Sequence, residues 1–206
     1  MAEVDLLGQT LPVCEEFYSI QGEGINSGSA AYFVRLAGCD VKCPWCDTKQ
    51  SWNTENAKHC TVEEIAARAA GNPSPNVVIT GGEPIMHNLA PLCERLEQKC
   101  LSVWLETSGT HPITGSFDWI CLSPKKHHPP LDEVLEQANE LKVVISSADD
   151  LAFAEQCAAK AAAECVLVLQ PEWDNRQQSI QLIFDYVLKH PVWKVSTQMH
   201  KYIGVR

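Results

Sequence analysis

Asn76-Val-Val-Ile-Thr-Gly-Gly-Glu-Pro84 opens on a short, uninterrupted β-branched run and then turns on two glycines. A run of this kind reads as a strand buried on both faces, the habit of parallel sheets. A helical pattern follows over residues 88–99, so the unit is strand, loop, helix.

The same unit recurs on either side. Residues 31–36, 101–106, 117–122, 141–145, 165–170 and 193–196 read as further strands, and residues 61–70, 131–139, 149–163 and 176–189 as helices. Thr61 and Glu64 have the spacing of a capping box. Strands alternating with helices imply parallel pairing through right-handed crossovers. A closed eight-stranded barrel takes ~250 residues. The 206 here supply about six such units. The expected fold class is therefore α/β: a partial (incomplete) TIM-like barrel of about six parallel strands with helices outside. A doubly wound open sheet is the alternative. No repeat or linker divides the chain, so one domain over 1–206 is expected.

The composition excludes several classes of function. With 45% hydrophobic and 20% charged residues the balance is that of a globular protein. A formal charge of −10 and the lack of any long Lys/Arg cluster argue against a nucleic-acid surface. No apolar stretch approaches the ~20 residues of a membrane span. The acidic start Met-Ala-Glu-Val-Asp is unlike a secretory signal. A cytoplasmic location is expected, where ten cysteines are thiols or metal ligands rather than disulfides.

The unusual residues fall at the carboxyl ends of the expected strands, where parallel α/β folds assemble active sites from separate loops. Residues 38–48 place Cys39, Cys43 and Cys46 after the first strand. Gly81-Gly82-Glu83-Pro84 follows the second, Glu106-Thr-Ser-Gly109 the third, Ser123-Pro124-Lys125 the fourth and Gln170-Pro171 the sixth. C-x3-C-x2-C is not a structural zinc spacing, which wants four ligands, commonly in two pairs. Nor is Cys43-Pro-Trp-Cys46 a simple redox pair, since Cys39 stays unexplained. Three thiolates suit an iron–sulfur cube with one iron left open. The other cysteines (14, 60, 93, 100, 121, 157 and 165) show no ligand spacing and read as small core residues.

The three-cysteine loop, with Trp45 before its last thiol, resembles the radical S-adenosylmethionine superfamily. In that superfamily the open iron of a [4Fe-4S] cluster binds the methionine moiety of S-adenosylmethionine. One-electron reduction then yields a 5′-deoxyadenosyl radical. Four segments narrow the likeness: Ser19-Ile-Gln-Gly-Glu-Gly24, Phe33-Val-Arg-Leu-Ala-Gly-Cys39 with Cys46-Asp-Thr48, Val78-Ile-Thr-Gly-Gly-Glu-Pro84 with Glu106-Thr-Ser-Gly-Thr110, and Gln198-Met-His-Lys-Tyr202. Together they resemble the 7-carboxy-7-deazaguanine synthase family over nearly the whole chain. That likeness implies a carbon–nitrogen lyase that converts 6-carboxy-5,6,7,8-tetrahydropterin to 7-carboxy-7-deazaguanine and releases ammonia, a step in queuosine and deazapurine biosynthesis.

The resemblance also implies roles. Cys39, Cys43 and Cys46 would hold the cluster, and Thr48 a Mg2+ ion. Trp45, Cys46, Asp47, Gly82, Glu83, Ser123, Pro124, Lys125 and Gln170 would bind S-adenosylmethionine, with Glu83 accepting from its ammonium and the glycines admitting its backbone contacts. Ile20, Gln21, Gly22, Glu23, Arg35, Thr80, His200 and the terminal carboxylate of Arg206 would bind the pterin. Arg35 suits a substrate carboxylate because a guanidinium grips one bidentately. A substrate loop at about 14–28, the cluster loop at 38–48 and a substrate-contacting tail at about 197–206 are the implied segments. The implied partners are a flavodoxin- or ferredoxin-type reductant and a second copy in a homodimer. Met199 and Glu172-Trp173 depart from the family pattern. A glycyl-radical activating enzyme, or a non-enzymatic zinc-binding module, is the alternative reading of the cysteines.

Overall fold

The computed structural model describes residues 9–205, so Arg206 lies outside the described residues. Among the described residues nine strands form one sheet in the order β3-β1-β2-β4-β5-β6-β7-β8-β9. β2 (Ala30–Leu36), β4 (Asn76–Gly81), β5 (Ser102–Thr107), β6 (Trp119–Leu122), β7 (Glu140–Ile145), β8 (Val166–Pro171) and β9 (Trp193–Val195) run parallel. β1 (Thr10–Ile20) pairs antiparallel with β2, and β3 (Lys58–Thr61) with β1.

The parallel α/β sheet is as expected, and the antiparallel pair at one edge is the difference. Residues 14–20, expected in a substrate loop, are the second half of β1, and the loop proper begins at Gln21. Pro12, the adjacent acids Glu15 and Glu16, and a register shift between Val13 and Glu15 break the period-2 pattern that would have marked this strand.

Helices α1 (Val62–Ala70), α2 (Ala90–Gln98), α3 (Asp132–Leu135), α4 (Ala148–Ala158) and α5 (Arg176–Val187) connect the parallel strands, and α6 (Met199–Ile203) ends the chain. α1 begins as the sequence requires: Thr61 N donates to Glu64 Oε2 (2.9 Å) and Glu64 N donates to Thr61 Oγ1 (3.2 Å). The expected helix over 131–139 is a single turn, and the one over 149–163 stops at Ala158.

Alternation along the parallel strands decides what faces the site. Tyr32, Val34 and Leu36 of β2 and Val77 and Ile79 of β4 pack with Ile65 of α1 and Leu92 and Leu96 of α2. Leu141, Val143 and Ile145 of β7 and Leu169 of β8 pack with Leu151 and Ala154 of α4 and Ile183 of α5. The intervening residues point to the other face. There Ala31, Phe33 and Val78 form a small apolar floor, with Phe17 stacked on Phe33 at 4.9 Å between ring centroids. The same alternation leaves Arg35, Thr80, Glu106, Lys142 and Gln170, one per strand, lining the cavities on that face.

Candidate active site

Two cavities share this face. One, of about 220 Å³, is lined by Cys39, Cys43, Cys46, Gly82, Ser123 and Gln170 among others. The second, of about 490 Å³, is lined by Ile20, Gln21, Gly22, Arg35, Thr80 and His200 among others. Glu23, Asp47, Glu106 and Lys201 line both, so they form the wall between them.

The cluster loop is pinned by residues from elsewhere. Gly38 N donates to Ser51 O (2.8 Å), and Cys39 N to Trp52 O (3.1 Å). His87 Nε2 lies 2.8 Å from Ala37 O, His127 Nε2 3.0 Å from Val41 O, and His111 Nε2 2.8 Å from Asp40 Oδ2. Beneath the loop runs the double-glycine turn, where Gly82 N donates to Leu36 O (2.9 Å) and Glu83 N to Gly38 O (2.8 Å). A Cβ on Gly81 would lie 2.3 Å from Leu36 O, and one on Gly82 2.2 Å from Gly38 O. The glycines are therefore required by the chain's own backbone. That is a different reason from the ligand approach expected of them.

Glu83 is also employed by its own chain. Its carboxylate is 1% exposed and accepts from Ile85 N (3.4 Å), Thr107 Oγ1, Ser108 N (2.8 Å) and Ser108 Oγ. It ties the loop after β4 to the loop after β5, under the first cavity. Four donors occupy about all the acceptor sites a carboxylate has.

The three thiols fit an iron–sulfur cluster. Soft thiolates suit iron and its sulfides, and the cavity beyond them leaves room for a ligand on a fourth iron. Among the described residues no three metal-binding side chains close on the position of a single ion. The thiols border a cavity instead. Burial pushes the Cys39 and Cys43 thiols up, and bound metal reverses this, since a coordinating thiol is deprotonated outright.

The remaining cofactor candidates border two adjoining cavities. Trp45, Asp47, Ser123, Lys125 and Gln170 line the first cavity, whereas Pro124 lines an adjoining cavity of about 480 Å³ that also reaches Trp45 and Lys125. Lys125 Nζ donates to Ser123 O (2.6 Å) and Ser123 Oγ (2.7 Å), which folds it inward, and burial pushes its pKa down.

In the second cavity Arg35 Nε donates to Glu15 Oε1 at 2.8 Å. Thr48 stands between the two cavities' chemistries: its N donates to Cys46 Sγ (3.4 Å), and its Oγ1 lies 3.6 Å from the same sulfur. The C-terminal segment packs on the loop after β1. Met199 N donates to Gly22 O (2.8 Å), and a Cβ on Gly22 would lie 2.1 Å from His200 Nδ1. Gly22 thus lets His200 pack directly on the loop.

The comparisons with known proteins agree with this geometry. A 4Fe-4S single cluster domain matches residues 20–116. The 7-carboxy-7-deazaguanine synthase of Flavobacterium psychrophilum is 47% identical over 199 residues, covering 96% of this chain and 94% of that protein. The synthase of Synechocystis is 48% identical over 202 residues, covering 98% and 97%.

This chain belongs to the 7-carboxy-7-deazaguanine synthase family.

A crystal structure of QueE from Escherichia coli superposes with a TM-score of 0.86 at 31% identity, covering 95% of this chain and 97% of that one. Family membership sets aside the activating-enzyme and zinc-module alternatives.

Within the family frame, the structure adds residues that sequence reasoning passed over. Lys142 is 2% exposed and donates to Glu23 Oε2 (2.6 Å) and Glu106 Oε2 (2.9 Å). Its signal was a lone lysine inside the apolar strand Leu141-Lys-Val-Val-Ile145. Gln198 Nε2 donates to Glu23 Oε1 (2.7 Å), and Gln21 Nε2 to Glu106 Oε1 (3.0 Å). Burial, the largest single effect, works to raise Glu23, but the charge and hydrogen bond of Lys142, joined by hydrogen bonds from Gln198 and Gln170, together outweigh it and hold the carboxyl at about 2. Glu106 is pushed up, by burial first, despite the same ammonium.

Glu172 and Trp173, which with Met199 depart from the family pattern, also have places. Glu172 accepts from Asp174 N (3.0 Å) and Asn175 N (2.9 Å) and so caps the approach to α5. The Trp173 ring lies under Arg176 (4.3 Å) and Lys201 (4.9 Å) and meets Tyr202 edge-on at 5.2 Å, which anchors α6.

Proposed function

We propose that the chain is a radical S-adenosylmethionine lyase that converts 6-carboxy-5,6,7,8-tetrahydropterin to 7-carboxy-7-deazaguanine, releasing ammonia. The observation that carries the reading is the pairing of two cavities across one polar wall, with three thiols on one side and Arg35, Gln21 and His200 on the other. Cys39, Cys43 and Cys46 would hold a [4Fe-4S] cluster. When loaded, it supplies the electron that cleaves S-adenosylmethionine to a hydrogen-abstracting radical.

The chain's residues bind and orient. Trp45, Asp47, Gly82, Ser123, Lys125 and Gln170 would hold the cofactor against the wall, while Glu83 fixes the loops beneath it. Ile20, Gln21, Gly22, Glu23, Thr80 and His200 would surround the pterin, with Arg35 directed to its carboxylate. Thr48, next to Cys46 and on the substrate side, would complete a Mg2+ site together with substrate oxygens and water. The convergence of side chains from β2 to β8 on adjoining cavities supports a sheet curled into an open, partial barrel. Its two edges favour a homodimer, and the low-potential step calls for a flavodoxin- or ferredoxin-type reductant in a reducing cytoplasm. No helix among the described residues is long and apolar enough to cross a membrane.

Binding to the anaerobic, cluster-loaded protein tests the substrate side without turnover. With S-adenosylmethionine and Mg2+ present and reductant absent, Arg35→Met is expected to weaken 6-carboxytetrahydropterin by about tenfold or more. It should leave tetrahydropterin itself unaffected. Equal weakening of both ligands would remove Arg35 as the carboxylate's partner and with it the assignment of this cavity.

A further inference from the structure

In the polar wall between the cavities, beside the Asp47–Lys201 ion pair, two carboxylates share the buried ammonium of Lys142. Glu23 comes from the loop after β1, Glu106 from β5 and Lys142 from β7. Lys142 Nζ joins the two acids at 2.6 and 2.9 Å, and their other oxygens accept from Gln198 and Gln21. A carboxylate offers about four acceptor sites, so each acid keeps acceptor capacity after these bonds. Both acids border the substrate cavity as well as the cofactor cavity.

We propose that Lys142 is a positioning residue: it holds Glu23 and Glu106 together as a pair of ionised acceptors, and so makes this wall selective for a ligand edge rich in N–H donors. This rests on the substrate reading above, in which the aminopyrimidine edge of a pterin is that ligand. The physical reason is like-charge conflict. Two buried carboxylates joined only by neutral groups compel one of them to take up a proton. A protonated acid presents an O–H donor, and a donor facing the N–H edge repels the ligand that the ionised pair attracts.

The other charged and titratable groups bearing on the cluster are Cys121 on β6, Glu140 on β7, Lys125 after β6, Glu83 after β4 and Lys201 of α6. Glu83 is held by Thr107 and Ser108, and Lys201 pairs with Asp47 and donates to Gln198 Oε1 (3.0 Å). Cys121 is a buried thiol whose pKa burial pushes well up, so it stays neutral. Lys125 is occupied with Ser123. Glu140 Oε2 accepts from Ile25 N and Trp119 Nε1, both at 3.2 Å. Among these groups Lys142 alone donates to both Glu23 and Glu106.

The test measures equilibrium binding of 6-carboxytetrahydropterin to the anaerobic, cluster-loaded protein with S-adenosylmethionine and no reductant, at a series of pH values. Lys142→Met is expected to weaken binding about tenfold near pH 7, with the gap to wild type narrowing as pH rises and the shared proton leaves. Lys142→Arg, which keeps the charge, is expected to recover most of the affinity and a flat pH profile. Iron content and circular dichroism report whether each variant is folded and loaded. If Lys142→Met does not fold, Glu106→Gln takes its place. It keeps the ammonium but removes one acceptor, and it is expected to weaken binding about tenfold at every pH.

Affinity equal to wild type in the folded Lys142→Met protein, or in Glu106→Gln, overturns the proposal. So does a loss in Lys142→Met that is the same at every pH, because that is the signature of a packing defect. The substrate reading is judged separately on the wild-type protein. If it neither binds nor converts the carboxypterin, that reading falls and this proposal falls with it. If wild type converts it and the variants bind normally, only the proposal is lost.

Discussion

Lys201 Nζ of α6 lies 2.8 Å from Asp47 Oδ2 of the cluster loop, so one ion pair joins the C-terminal helix to the loop that carries the thiols. Both residues border both cavities. With side chains 19% and 54% exposed, the pair is worth under about 1 kcal/mol to folding. A larger effect on ligands is expected, because the pair ties α6 to the cluster loop. Lys201→Met is expected to leave the denaturation midpoint nearly unchanged while raising KM for both cofactor and substrate about threefold to tenfold. Steady-state kinetics beside a denaturant titration check this, and a variant that loses stability but not affinity would contradict it.

Gly82→Ala sets a methyl 2.2 Å from the Gly38 carbonyl oxygen, backbone against backbone. Relief requires the cluster loop to move, at a cost of about 1–3 kcal/mol. The expected result is a folded protein with sharply reduced iron and acid-labile sulfide after reconstitution. Full iron content would show that the loop is not held where the structure places it.

Glu83→Gln keeps the size of a buried side chain and removes its charge. Three of its four donors come from Thr107 and Ser108, and a glutamine must turn an NH2 toward at least one of them. A loss of about 2–3 kcal/mol in unfolding free energy is expected. Glu83 also borders the first cavity, and Glu83→Gln with unaltered stability but abolished cofactor binding would show that its main partner is the ammonium expected from sequence.

Acid stability follows from Glu23. Its carboxyl is held at about 2, below the ordinary 4.5, so its stabilisation is complete above pH 4.5 and is lost as pH falls through that interval. By linkage this amounts to about 3 kcal/mol. Glu106, pushed upward, has the opposite sign: its ionised form opposes folding at neutral pH, and protonation relieves that as pH falls. Glu23→Gln is therefore expected to flatten the fall in stability between pH 4.5 and 2. Denaturation midpoints measured across that range check it, and an unchanged acid limb would mean that Glu23 is not paired with Lys142.

Much of this was legible in the sequence because period and punctuation announce it. The apolar run 76–80, the capping box at Thr61 and the three cysteines each follow a local rule, and each is found where that rule puts it. β1 is hidden because Pro12 and a bulge break its alternation, and because its second partner, β3, lies far along the chain at Lys58–Thr61. The glycines at 81 and 82 stand out in the sequence, but only the packing shows that Leu36 and Gly38 demand them. Lys142 was visible as a misplaced charge. Its purpose was not, because Glu23 is 119 positions away and Glu106 is 36.

A single anaerobic turnover tests the central claim most directly. Cluster-loaded protein is mixed with S-adenosylmethionine, a strong reductant, Mg2+ and 6-carboxytetrahydropterin, and the mixture is read by mass spectrometry. The expected product is 7-carboxy-7-deazaguanine, with one ammonia lost. Cleavage of the cofactor to 5′-deoxyadenosine without that product, from protein of confirmed cluster content, would contradict the claim.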